Sequence, residues 1–112
     1  MSEPSPRLRI ELLYFDGCPS YKKAWSDLLD VLAETALDAH VTVRPIRVDT
    51  LEKAEALQFA GSPTIKIEGR DLEGYTGPGL MACRVYQENR NRGWPSKTLL
   101  KQELEAAQVG PG

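Results

Sequence analysis

The sequence predicts an α/β domain with a mixed four-stranded sheet and helices on both faces. Three observations carry that reading. An apolar run from Leu8 to Phe15 stops at Asp16-Gly17 and gives way to helical spacing from Tyr21 to Leu37. A second strand and a second short helix follow over residues 40–59. Ser62 to Glu68 then alternates apolar with polar, turns at Gly69-Arg70 and returns through Asp71-Leu72-Glu73, before a last helix near the C-terminus. The order is β-α-β-α-β-β-α. A strand–helix–strand crossover makes the first two strands parallel and right-handed, and the later hairpin makes the sheet mixed.

Residues 1–6, Met-Ser-Glu-Pro-Ser-Pro, read as a loose tail. Arg7 to Leu12 alternates, and Leu13-Tyr14-Phe15 is continuously apolar, as expected of a strand that becomes buried toward its end. In the first helix Trp25, Leu28, Leu29, Leu32 and Ala36 recur on one face. His40 to Val48 forms the second strand, and Pro45 inside it marks an edge, since proline cannot donate to a ladder. Asp49 or Thr50 caps a helix over Leu51–Phe59 that Gly61 stops. Gly74 to Gly79 is loop, and Leu80 to Tyr86 is a short element of open type. Gly93-Trp94-Pro95-Ser96 opens the last helix, whose apolar face is Leu99, Leu100, Leu104 and Ala107. The whole is one domain over residues 1–112, with an ordered core of 7–107 and an insertion over 74–93.

At 112 residues with 41% apolar and 27% charged side chains, the composition is that of an ordinary globular domain. A net charge of −2 points neither to nucleic acid nor to an anionic membrane surface. No apolar stretch resembles a signal-peptide core or a membrane span, so a cytoplasmic location is the expectation. Two cysteines are too few for a disulfide-stapled scaffold. With a single histidine they also make a poor ligand set, so no metal or cofactor is expected. The oligomeric state is not legible.

Chemistry concentrates at Cys18. Proline is favoured at the first helical position, so Pro19 makes Cys18 the expected helix cap. Its sulfur then lies over the free N–H groups of Ser20 and Tyr21, at the positive end of the helix, where a thiolate is stabilised. Lys22 and Lys23 add to that effect and Asp16 opposes it. The competing reading of Cys18 is a small buried core residue.

Gly17-Cys18-Pro19, Gly61-Ser62-Pro63-Thr64, the turn Glu68-Gly69-Arg70-Asp71 and Gly93-Trp94-Pro95-Ser96 occur in an order that resembles the thioredoxin superfamily. The nearest likeness is to its small bacterial members with Gly-Cys-Pro after the first strand, and it spans roughly residues 8–107. The resemblance implies thiol–disulfide exchange at Cys18, with a cis peptide at Ser62-Pro63 beside its sulfur. It also implies a partner-binding surface formed by Pro19, Tyr21, Ser62, Pro63 and Thr64. The partner would be a protein disulfide or a small thiol such as glutathione. Tyr21, however, stands where the family's Cys-x-x-Cys motif has its second thiol. A resolving thiol must then come from elsewhere.

Cys83 is the candidate. If Pro63 lies beside Cys18, as the resemblance implies, the following strand runs away from it and Asp71-Leu72-Glu73 returns. The 74–93 excursion then leaves from the Cys18 edge, which brings Cys83 within reach. The alternative makes Cys83-Arg84-Val85-Tyr86 the fourth strand and puts Cys83 at the far edge, beyond the roughly 7 Å between Cα atoms that a disulfide tolerates. Taken by itself, Ala82-Cys83-Arg84-Val85 also reads as a packed element with a buried thiol. Arg84, Arg90 and Arg92 are read as a solvated charged loop, or as a site for an anionic substrate such as glutathione.

Three function classes remain open on the sequence. One is an oxidoreductase using Cys18 with Cys83 or an external thiol. Another is a thioredoxin-fold binding or structural module with an inert, buried Cys18. The last is single-thiol chemistry like that of monothiol glutaredoxins, although Cys18-Pro19-Ser20-Tyr21 departs from their Cys-Gly-Phe-Ser.

Overall fold

The computed structural model describes residues 8–35 and 41–108. The expected tails, the end of the first helix and His40 lie outside the described residues. Strand β1 (Leu8–Tyr14) is the second strand of a four-stranded sheet, between β2 (Val41–Arg47) and β4 (Thr64–Ile67), with β5 (Arg70–Asp71) beyond β4. It pairs in parallel with β2 and antiparallel with β4. The mixed sheet is as expected, and so is the edge position of β2, where Pro45 lies opposite Leu12.

The period-two alternation of β1 divides the core into two faces. Ile10 and Leu12 join Ala24, Leu28, Val31 and Leu32 of helix α1 (Ser20–Glu34). Ile65 and Ile67 of β4, with Leu100 and Leu104 of helix α3 (Lys97–Gln108), complete that cluster. Leu13 points the other way and packs with Val48, Phe59 and Ala54 of helix α2 (Leu51–Ala56). Helices therefore cover both faces. Each fully buried leucine or isoleucine contributes roughly 1.5–3 kcal/mol, so the sheet is held from both sides by apolar burial.

Local chemistry sets the helix ends. Thr50 caps α2 by accepting the Lys53 N–H at 3.1 Å. Ser96 caps α3 by accepting the Leu99 N–H at 3.0 Å, and its own hydroxyl donates to Glu88 at 2.6 Å. At α1 the expected cap is corrected. Pro19 already has helical angles (φ −67°, ψ −7°), and no side chain caps the first turn. The Cys18 sulfur is instead bonded to Cys83, and a disulfide sulfur carries no negative charge to offer the helix.

Three boundaries also differ from expectation. Helix α2 stops at Ala56 rather than Phe59, because Gln58 takes up a left-handed conformation (φ 51°). The hairpin turn is Glu68-Gly69, one residue earlier than expected, with both residues at positive φ (52° and 81°) as a type I′ turn requires. The return strand β5 is only Arg70–Asp71. It ends there because the Asp71 carboxylate accepts the N–H groups of Glu73 and Tyr75, at 2.8 and 3.1 Å, and folds the chain away.

One feature is absent from the sequence expectation. Ala60–Ser62 forms strand β3, which pairs in parallel with β6 (Leu80–Cys83) in a separate two-stranded sheet. Gly61, expected as a helix stop, lies inside β3 with φ 99°. A Cβ there would sit 2.9 Å from the Ala82 carbonyl oxygen and 3.2 Å from the Arg84 Cβ. Only glycine lets the two strands approach.

Candidate functional site: a disulfide across two strands

Cys18 lies two residues before α1, just past the Asp16-Gly17 turn, and its N–H donates to the Phe15 carbonyl at 3.3 Å. Cys83 is the last residue of β6. The two are joined by a disulfide with Cα atoms 5.7 Å apart, across a separation of 65 residues. This agrees with the expectation that the excursion after Glu73 passes the Cys18 edge, and not with Cys83 as the start of the fourth strand.

Exposure within the pair is unequal. Cys18 is 2% exposed, while Cys83 lies open on the surface. The expectation of a buried Cys83 is corrected: β6 pairs with β3 and passes beside α2, but all four of its residues are exposed, so its side chains do not enter a core. The accessible sulfur expected of an active Cys18 is also not what this oxidised state presents, since Cys18 is buried and bonded to Cys83.

Ser62, Pro63 and Thr64 are buried, and Ser62-Pro63 is a cis peptide. Residues 83–86 lie over them. Ser62 is paired with Cys83, and its carbonyl accepts the Arg84 N–H at 3.0 Å. Its hydroxyl accepts the Phe15 N–H at 3.2 Å, which ties β3 to the segment leading into Cys18. The Tyr86 hydroxyl donates to the Pro63 carbonyl at 2.7 Å. The Thr64 hydroxyl donates to Gly61 at 2.7 Å and accepts the Ala60 N–H at 3.1 Å. Of the five residues expected to meet a partner, only exposed Pro19 and half-buried Tyr21 remain open. Tyr21 stacks on Tyr14 with ring centroids 4.4 Å apart, so it is occupied by packing rather than by the sulfur.

Arg84 is the residue that sequence reasoning misjudged. It is neither solvated nor free for an anion. Its guanidinium donates to both oxygens of Asp71, at 2.6 and 2.8 Å, and to Glu73 at 3.3 Å. It also lies 4.4 Å above the Tyr86 ring centroid. Burial raises the Asp71 carboxyl, but the hydrogen bond and charge of Arg84, with the Tyr75 and Glu73 N–H groups, outweigh it and hold the carboxyl below its ordinary value. Burial likewise disfavours the Arg84 charge, and Asp71 more than restores it. Burial pushes the Tyr86 hydroxyl upward, so it stays protonated and keeps donating to Pro63. Arg90 and Arg92 are exposed, as expected of a charged loop. No local signal marks Arg84 as different from them, because its partner Asp71 lies 13 positions earlier.

Several clefts open on the described surface, and one of about 450 Å³, lined by Ala60, Glu73, Tyr75, Arg84, Val85 and Gln87, borders the segment just after Cys83. A second, of about 250 Å³, is lined by Leu12, Tyr14, Tyr21, Lys22, Trp25 and Pro45. Another of about 220 Å³ is lined by Phe15, Gly17, Val48 and Met81 together with the charged residues Asp16, Arg47 and Asp49. Among the described residues no helix is long and apolar enough to cross a membrane, and no cluster of three His, Cys, Asp or Glu could hold a metal ion. No protein-family model matches this chain, and no curated protein matches it either.

Proposed function

We propose that the chain is a thioredoxin-like thiol–disulfide oxidoreductase whose working pair is Cys18 and Cys83. The observation that carries this is the bond between a cysteine at the start of α1 and a surface-exposed cysteine on a two-stranded sheet outside the main core. Cys83 takes the part of the second thiol that Tyr21 replaces in Cys-x-x-Cys. The strand order β2-β1-β4-β5, the helices on both faces and the cis peptide before β4 support the thioredoxin-like reading.

The chemistry follows from the two ends of the bond. An external thiolate attacks one sulfur, and the other leaves as a thiolate. If Cys18 leaves, its negative charge forms at the start of a 15-residue helix whose first-turn N–H groups have no side-chain cap. Asp16, which would oppose that charge, is paired with Arg47 at 3.0 Å. The partner is a protein thiol or disulfide, or a small thiol such as glutathione. A cytoplasmic setting suits a pair that cycles.

The burial of Cys18 favours a second reading, in which the bond only staples a non-catalytic module. Equilibration in thiol buffers of known potential separates the two, read by peptide mapping of the Cys18–Cys83 link. A midpoint above about −300 mV places the pair among exchangeable disulfides, and a lower value makes it a structural staple.

A further inference from the structure

We infer that a polypeptide partner docks as an added strand along the free edge of β6 and attacks the disulfide at Cys83 rather than at Cys18. This rests on the proposed redox role and names its substrate class.

Among the described residues β6 pairs only with β3, so its other edge has no strand beside it. The Leu80 N–H donates to Phe59 at 2.8 Å and the Arg84 N–H to Ser62 at 3.0 Å, both toward the body of the protein. Direction alternates along a strand, which leaves the Met81 main-chain groups facing outward for an incoming strand. Among the described residues, Leu80, Met81 and Val85 are three of the five exposed large apolar side chains, and all lie within three residues of Cys83. That concentration suits apolar side chains of an extended peptide. It does not suit a small anionic thiol, because the cations beside it, Arg84 and the Arg47 that shares a cleft with Met81, are already paired with Asp71 and Asp16. The cleft between Met81 and the Phe15–Gly17 segment can take a side chain next to the partner's cysteine. Cys83 is exposed and Cys18 is buried, so an in-coming sulfur meets Cys83 first.

In the reaction the partner's thiol loses its proton to solvent and its sulfur bonds to Cys83. The Cys18–Cys83 bond breaks, and its electron pair leaves with Cys18 as a thiolate. A second thiol of the same partner, also deprotonated, then attacks the partner's sulfur in the mixed disulfide and releases Cys83 as a thiolate. The partner gains a disulfide, and this protein is reduced by two electrons.

The test uses the oxidised full chain with two probes: glutathione, and a synthetic peptide of alternating valine and threonine carrying one central cysteine. Rates are corrected for each probe's thiolate fraction, and adducts are mapped by mass spectrometry. The peptide should react faster than glutathione and be found on Cys83. In Leu80→Asn and Met81→Asn, checked for folding by circular dichroism, the peptide-to-glutathione rate ratio should fall about tenfold. A peptide adduct on Cys18, an equal rate for both probes, or an unchanged ratio in both variants overturns the docking inference while the redox reading stands. If neither thiol opens the bond without denaturant, the redox reading itself falls, and the docking inference with it.

Discussion

Reducing the Cys18–Cys83 bond should cost the fold about 4 kcal/mol. The figure follows from the 65-residue separation of the two cysteines. Closing a ring of that size removes roughly 14 cal/mol/K of entropy from the unfolded chain, which at 25 °C is about 4 kcal/mol. The same free energy, read as a redox quantity, makes the folded pair about a thousandfold more prone to close than the unfolded pair, or roughly 90 mV more reducing. Urea unfolding of oxidised and phosphine-reduced protein measures the first quantity, and thiol–disulfide equilibria in the presence and absence of urea measure the second. The two must agree, because they are sides of one thermodynamic cycle. The reduced protein should also show a larger m-value, since its unfolded chain is more expanded. Cys83→Ser should match the reduced form to within about 0.5 kcal/mol, because Cys83 is exposed. Cys18→Ala should cost more, through lost packing of a buried side chain. A difference between oxidised and reduced protein below about 1 kcal/mol would refute the ring-closure argument.

Two further expectations concern the anchor beneath β6. Arg84→Met should destabilise the protein by about 3–5 kcal/mol in urea unfolding, because it leaves Asp71 buried without its partner; a loss under 1 kcal/mol would show the pair to be dispensable. Because the folded-state pKa of Asp71 is depressed, its contribution is fully present above the ordinary carboxylate value. Stability measured across an acid series should therefore fall as pH drops below that value and through the lowered folded one, and Asp71→Asn should flatten that part of the profile.

Much of the main sheet was legible because its residues carry their own periodicity. Ile10 and Leu12 against Leu13 declare the two faces of β1, and Leu28 and Leu32 mark the buried side of α1, although the same reading put Leu29 there, where the structure exposes it and buries Ala24 and Val31 instead. Pro45 marked the edge strand for a reason intrinsic to proline. The β3–β6 sheet was not legible. Ala60–Ser62 is three residues long with a glycine at its centre, and Leu80–Cys83 is exposed throughout, so neither alternates. Their pairing depends on a close approach at Gly61 that no propensity scale contains. The hairpin was misplaced by one residue because Glu68, not Arg70, takes the left-handed angle beside Gly69. At the site, the hairpin brought Cys83 to Cys18 only once the family resemblance had set Pro63 beside Cys18, while the burial of Arg84 depended on a carboxylate 13 residues away.

The disulfide also makes the chain a mechanical circuit with a bypass. Tension applied at the two ends of the oxidised protein runs through β1 to Cys18, crosses to Cys83 and leaves through α3. The intervening stretch, which holds α1, β2, α2, β3, β4, β5 and all of β6 but Cys83 itself, carries none of it. About 230 Å of potential chain extension is thereby locked away, at the roughly 3.5 Å per residue of a stretched backbone. Opening a single sulfur–sulfur bond would return that length to the load path.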